Sequence, residues 1–223
     1  MKVCFATKSN FYDFCDSSLS LAGNSKVLVF GANGLGLISY KSELCGETEY
    51  FQDVAKTSKN FGGVVIIGCD TDTYGAFRKS AIVADSGKLL GVSDAVAVPS
   101  YSEYVGGANY VVYKTSAGKI GVLIGKDLYS VEAVSTMSLS DADVIFCIFD
   151  RVDSFMPEIL LRAYSFIFGV PMVLVGNGYL SVTDIDGKIK ISTPKNVATV
   201  DINTDKVYGE VLLKKRGYTH YKK

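Results

Sequence analysis

The sequence predicts a layered α/β domain built on two stacked sheets. Two observations carry this expectation. Short apolar runs rich in β-branched residues recur along the whole 223-residue chain, each bounded by Gly, Asp or Asn, which is the pattern of strands. Only a few stretches between them space their apolar residues as a helix does, so sheets must supply most of the layers.

Taken in order, strands are expected over 2–6, 26–30, 63–68, 79–84, 110–113, 120–124, 143–149, 171–175, 179–183, 188–192, 198–202 and 207–213. Segments 85–88 and 184–188 read as hairpin turns, with Gly87 and Gly187 supplying the positive φ such turns need. Three helices are expected. The first, over 47–59, spaces Tyr50, Phe51, Val54 and Ala55 on one side. The second spans 130–139. The third, over 155–168, carries Phe155, Ile159, Leu160, Ala163, Phe166 and Ile167 on one stripe, with Pro157 tolerated in the first turn. No linker, tandem repeat or low-complexity stretch interrupts the chain, so residues 1–223 read as one domain.

Composition narrows the function classes. The 23 basic and 23 acidic side chains balance, so there is no electrostatic footprint for nucleic acid. The basic residues at 214–216 and 222–223 read as a solvated tail. No apolar run is long enough to span a bilayer, and the N-terminus reads as a strand rather than a signal peptide. The five cysteines (Cys4, Cys15, Cys45, Cys69 and Cys147) are odd in number and scattered, with no CxxC spacing. They argue for reduced thiols in the cytoplasm. With His220 as the sole histidine, no metal site is expected, and no cofactor.

Chemistry-bearing patterns are sparse. Gly31, Gly34 and Gly36 follow an apolar strand, as in a phosphate-binding turn. Their spacing fits neither G-x-G-x-x-G nor G-x-x-G-x-x-G, and the better reading is a loop. A second strand-to-helix junction is more telling. Gly121 and Ile124 close a strand, Gly125 follows, and Asp127 and Glu132 lead into a helix. Asp127 reads as a brace for this turn through backbone N–H groups.

That junction resembles the nucleophile segment of the nitrilase, or carbon–nitrogen hydrolase, superfamily, whose pattern is similar to G-x-x-I-C-x-D-x-x-x-x-E. Three further segments resemble the same family in order and spacing: the hairpin over 75–91, the strand over 142–146, and the helix over 160–170 with Val175 to Asn177 after it. The likeness runs from about Lys2 to Val211. It implies a four-layer α-β-β-α sandwich, pairing of two copies through helical faces, and a Glu–Lys–Cys triad. In such a triad a carboxylate takes the thiol proton, while a lysine and backbone N–H groups stabilise the tetrahedral intermediate.

Carried over position by position, the triad is missing. Ala32 stands where the glutamate belongs, Asp94 or a neighbour where the lysine belongs, and Gly125 where the cysteine belongs. Lys79 replaces the hairpin asparagine. Glu103 is the candidate for a surviving second glutamate, beside Asp127 and Glu132. The resemblance thus implies a catalytically inactive homo-oligomer, a dimer, acting in binding or assembly and leaving room for a small-molecule ligand. The alternative is an amidase-type hydrolase with a rebuilt or displaced site. Cys69, in a local I-G-C-D pattern, and Cys147 are the candidates for a displaced nucleophile.

Overall fold

The computed structural model describes residues 1–204. The expected strand over 207–213, the basic tail and His220 lie outside the described residues. Two mixed sheets stack face to face. The first contains β1 (Lys2–Ala6), β2 (Val27–Phe30), β3 (Leu37–Ser39), β4 (Val64–Thr73), β5 (Ala76–Asp85), β6 (Lys88–Asp94) and, at its edge, β13 (Val197–Asp201). Its order is β13-β1-β2-β4-β5-β6, with β3 paired to the end of β4. The second runs β12-β11-β10-β9-β8-β7, formed by β7 (Val112–Thr115), β8 (Gly118–Ile124), β9 (Val144–Ile148), β10 (Met172–Gly176), β11 (Tyr179–Thr183) and β12 (Ile189–Thr193).

The centre of each sheet is parallel: β1-β2-β4 in one, β8-β9-β10 in the other. Parallel neighbours need crossovers, and crossovers place helices on the outer faces. Here α1 (Phe11–Ser17) and α3 (Tyr50–Phe61) cover the first sheet, while α4 (Val131–Leu139) and α5 (Met156–Phe168) cover the second. The central strands β2, β9 and β10 are accordingly buried along their whole length. Between the sheets, alternate residues interdigitate, among them Phe5, Val29, Ile66 and Val83 from one side and Val122, Phe146, Ile148 and Val175 from the other. The rings of Phe5 and Phe146 meet across the gap at 6.3 Å.

Most expected elements lie where the sequence puts them, with ends shifted by a few residues. Pro157 sits in the first turn of α5. The 85–88 turn places Ser86 and Gly87 at positive φ, joining β5 to β6. Two α-helices and two strands were not expected from the sequence: α1, the short α2 (Tyr40–Leu44), β3 and β6. Helix α1 is capped by the Asn10 side chain, which accepts from the Tyr12 N–H, and it is held by Phe11 and Phe14 packing edge-on to Phe30. That is a tertiary contact with no local periodicity to announce it.

Candidate functional site

A cavity of about 230 Å³ opens between the sheets at the ends of β2, β4, β8 and β9. Ala32 and Gly125 both line it, as do Ala95, Ala97, Val98, Pro99, Ile124 and Ile148. The loop carrying Ala32 lies hard against β4. A Cβ on Gly68 would come within 2.4 Å of the Ala32 Cα, so only glycine fits there. Gly125 has φ +53°, and a Cβ built on it meets nothing within 4 Å. The junction therefore presents bare backbone to open space.

Asp127 fixes that junction. Its carboxylate is 1% exposed. Oδ1 accepts from the N–H groups of Val96 and Ala97 at 2.9 and 2.7 Å, and Oδ2 from Ile124 at 3.2 Å. One side chain thus ties the turn after β8 to the 95–98 wall of the cavity. Burial nevertheless pushes its carboxyl above the ordinary aspartate range, the three N–H donors offsetting part of this. Glu132 is exposed in the first turn of α4, where its carboxylate accepts from the Ser130 hydroxyl. Glu103 is exposed on the 99–111 loop and is not in the cavity wall.

Asp94 is not in the wall either. It ends β6, where Oδ1 accepts from Ser80 Oγ at 2.7 Å and Oδ2 lies 3.8 Å from the Arg78 guanidinium. Ser80 lines the cavity in front of it, and the wall at that end is formed by Ala95 and Ala97. The two candidate thiols also part company. Cys147 is fully buried among the residues facing α4 and α5, on the far side of its sheet. Cys69 borders the cavity but is only 1% exposed. Burial drives its thiol well above the ordinary cysteine range; the Asp70 and Asp94 charges add to this, and Lys79 offsets a part. A thiol held protonated is a poor nucleophile.

A group that sequence reasoning did not assemble dominates the polar side of the cavity. On β5, Lys79 continues the inward alternation of Val83 and Ala81; beyond β9, Asp150 continues that of Phe146 and Ile148. They meet across the inter-sheet gap, Lys79 Nζ to Asp150 Oδ2 at 3.0 Å. Asp70 is the cross-strand partner of Lys79, with Nζ 2.9 Å from Oδ1. Tyr104 donates its hydroxyl to Asp70 Oδ2 at 2.9 Å, and its ring lies 4.6 Å from the Lys79 ammonium. Burial pulls the Lys79 pKa down, but the hydrogen bonds to Asp70, Asp150 and Tyr104 outweigh it and hold the ammonium above the usual lysine range. An ammonium held charged in this way is a poor amine nucleophile. Among the described residues, no group of three or more His, Cys, Asp and Glu side chains is arranged to hold a metal ion.

The layered architecture is that of nitrilase-superfamily amidases. An amidase from Nesterenkonia sp. superposes with a TM-score of 0.75 at 16% identity, covering 92% of this chain and 91% of that one. The carbon–nitrogen hydrolase of Helicobacter pylori G27 superposes with a TM-score of 0.73 at 17% identity, covering 92% and 89%. A cysteine-to-alanine mutant of the Nesterenkonia amidase, solved in complex with butyramide, gives 0.73 at 15%, covering 89% and 88%. No protein-family model matches the chain, and no curated protein matches it in sequence. The chain has the nitrilase-superfamily fold.

Proposed function

We propose that this chain is a nitrilase-fold binding protein that does not hydrolyse carbon–nitrogen bonds. The observation that carries the reading is Gly125: the junction that would hold a nucleophile offers no side chain to the cavity. Supporting it, Ala32 supplies no carboxylate, and the wall near Asp94 supplies alanines instead of a lysine. With no carboxylate at Ala32 and no lysine at the Ala95–Ala97 wall, both halves of thiol hydrolysis lack their groups at these positions. Asp127 remains as a brace, and the cavity remains as a place for a small molecule.

The protein acts as a single-domain homodimer in the cytoplasm. The apolar side chains that α5 leaves in solvent, Phe155, Ile159, Phe166 and Ile167, with Leu139 at the end of α4, support the dimer, since such patches mark interfaces. Five cysteines free of disulfides support the compartment. No helix among the described residues is long and apolar enough to cross a membrane.

Ammonia release from acetamide, butyramide, butyronitrile and an N-carbamoyl amino acid tests the reading. The expected result is none above the protein-free rate. Turnover that disappears when Cys69 is alkylated would mean that the nucleophile had moved to β4, and the hydrolase reading would replace this one.

A further inference from the structure

We infer that residues 98–104 form a strap over one side of the cavity, and that the Tyr104 hydroxyl is its latch. A molecule entering the cavity displaces this strap, whether or not it is then hydrolysed.

Both ends of the segment are pinned. At the start, the N–H groups of Val96 and Ala97 donate to the buried Asp127 carboxylate at 2.9 and 2.7 Å. At the end, the Val105 N–H donates to the Phe77 carbonyl and the Gly107 N–H to the Ala95 carbonyl, both at 2.8 Å. A Cβ on Gly106 would come within 2.8 Å of the Val96 carbonyl oxygen, and one on Gly107 within 2.7 Å of the Asp94 Cβ. The chain there lies flat against the exit of β6. Between the pins the backbone bonds to itself: the Ser102 N–H donates to the Pro99 carbonyl, and the Tyr104 N–H to the Ser102 hydroxyl. No residue from Val98 to Val105 is buried, although Val98, Pro99, Ser102 and Tyr104 line the cavity. A segment with fixed ends and no buried anchor opens at lower cost than the strands beside it, and lids are drawn from such segments.

Two tyrosines tie the strap down. Tyr101 is 85% exposed, and its hydroxyl lies 3.3 Å from Lys126 Nζ; a contact in open solvent holds little. Tyr104 is held harder. Its hydroxyl donates to Asp70 Oδ2 at 2.9 Å, and its ring lies 4.6 Å from the Lys79 ammonium. Lys79 itself joins the two sheets through Asp70 and Asp150, so the strap closes onto a cluster that both sheets hold in place. A hydrogen bond to a carboxylate is among the stronger ones. Tyr104→Phe removes that bond and keeps the ring.

The test compares wild type, Tyr104→Phe and Tyr101→Phe by hydrogen exchange, followed on peptides covering 98–105. It also places a reporter thiol in the cavity wall, Ala95→Cys, and measures its labelling by iodoacetamide in the three backgrounds. Tyr104→Phe is expected to speed exchange in 98–105 and labelling of the reporter by about ten-fold, the scale of one hydrogen bond to a charged group, and Tyr101→Phe by two-fold or less. The fully buried Cys147 serves as the control for wider opening and should stay unlabelled. Unchanged exchange in 98–105 in Tyr104→Phe overturns the inference. So does a Tyr101→Phe effect that equals or exceeds that of Tyr104→Phe, or labelling of Cys147 that rises in parallel, since the opening would then not be confined to the strap. Where Ala95→Cys does not fold, the exchange series alone decides.

Discussion

Gly125 concentrates the argument at the scale of single residues. Its left-handed φ of +53° suits glycine, yet the space beyond its Cα is empty, so Gly125→Cys meets backbone strain but no clash. The left-handed region costs an L-residue about 1–2 kcal/mol, and a loss of stability of that size is expected in urea melts. The new thiol would share the cavity with Ala32, which offers no carboxylate to take its proton. The variant should therefore acquire a modifiable thiol at the cavity and still release no ammonia from butyramide; turnover by the single variant would contradict this. That Ala32 and Gly125 sit at strand ends was legible because each follows an apolar β-branched run; both border the cavity. The place of the Asp94 carboxylate was not, because the Ser80 hydroxyl and Arg78, which draw it out of the wall, reach it from the neighbouring strand. Nor was the group of Asp70, Lys79, Tyr104 and Asp150. Its members come from two strands and two loops, and only the inter-sheet packing brings them together.

At the scale of elements, two contacts can be checked. At the end of β5 away from the cavity, Asp85 accepts from the Ser116 N–H at 2.6 Å and its hydroxyl at 2.7 Å, pinning the first sheet to the β7–β8 turn of the second. Burial raises the Asp85 pKa, but these bonds and the one from Ser86 outweigh it, leaving the carboxyl below its ordinary 3.8. A carboxyl depressed by folding stabilises above its unfolded pKa, and that contribution is lost as pH falls through the folded value. Asp85→Ala is thus expected to cost about 1–2 kcal/mol at neutral pH, with the gap to wild type closing as pH drops below 3.8. A gap independent of pH would mean that the carboxylate charge is not what matters. On α5, Phe166 and Ile159 are half-exposed on the proposed dimer face. The double variant Ile159→Asp, Phe166→Asp should sediment as a monomer at concentrations where the wild type is a dimer; an unchanged sedimentation coefficient would remove α5 from the interface. The strands were readable because β-branched runs bounded by turn residues need no partner to be recognised. Helix α1, strand β3, helix α2 and strand β6 were not, since each is short and takes its shape from what it packs on.

For the whole molecule, the sandwich carries its cavity on packing that does not depend on the residues at the proposed vacant site. Three apolar layers, one between the sheets and one under each helical face, hold the cavity open independently of the residues at Ala32 and Gly125. Asp127 locks the junction by backbone bonds alone. The space the scaffold encloses is lined with alanine, valine and part of an ion cluster. The central claim is that no nucleophile faces that space. Acrylamide, small enough to enter, tests it most directly when its adducts on the native protein are mapped by peptide mass spectrometry at neutral pH. The account predicts modification of the exposed Cys45 and an unmodified Cys69; rapid, stoichiometric addition to Cys69 in the folded protein would contradict it.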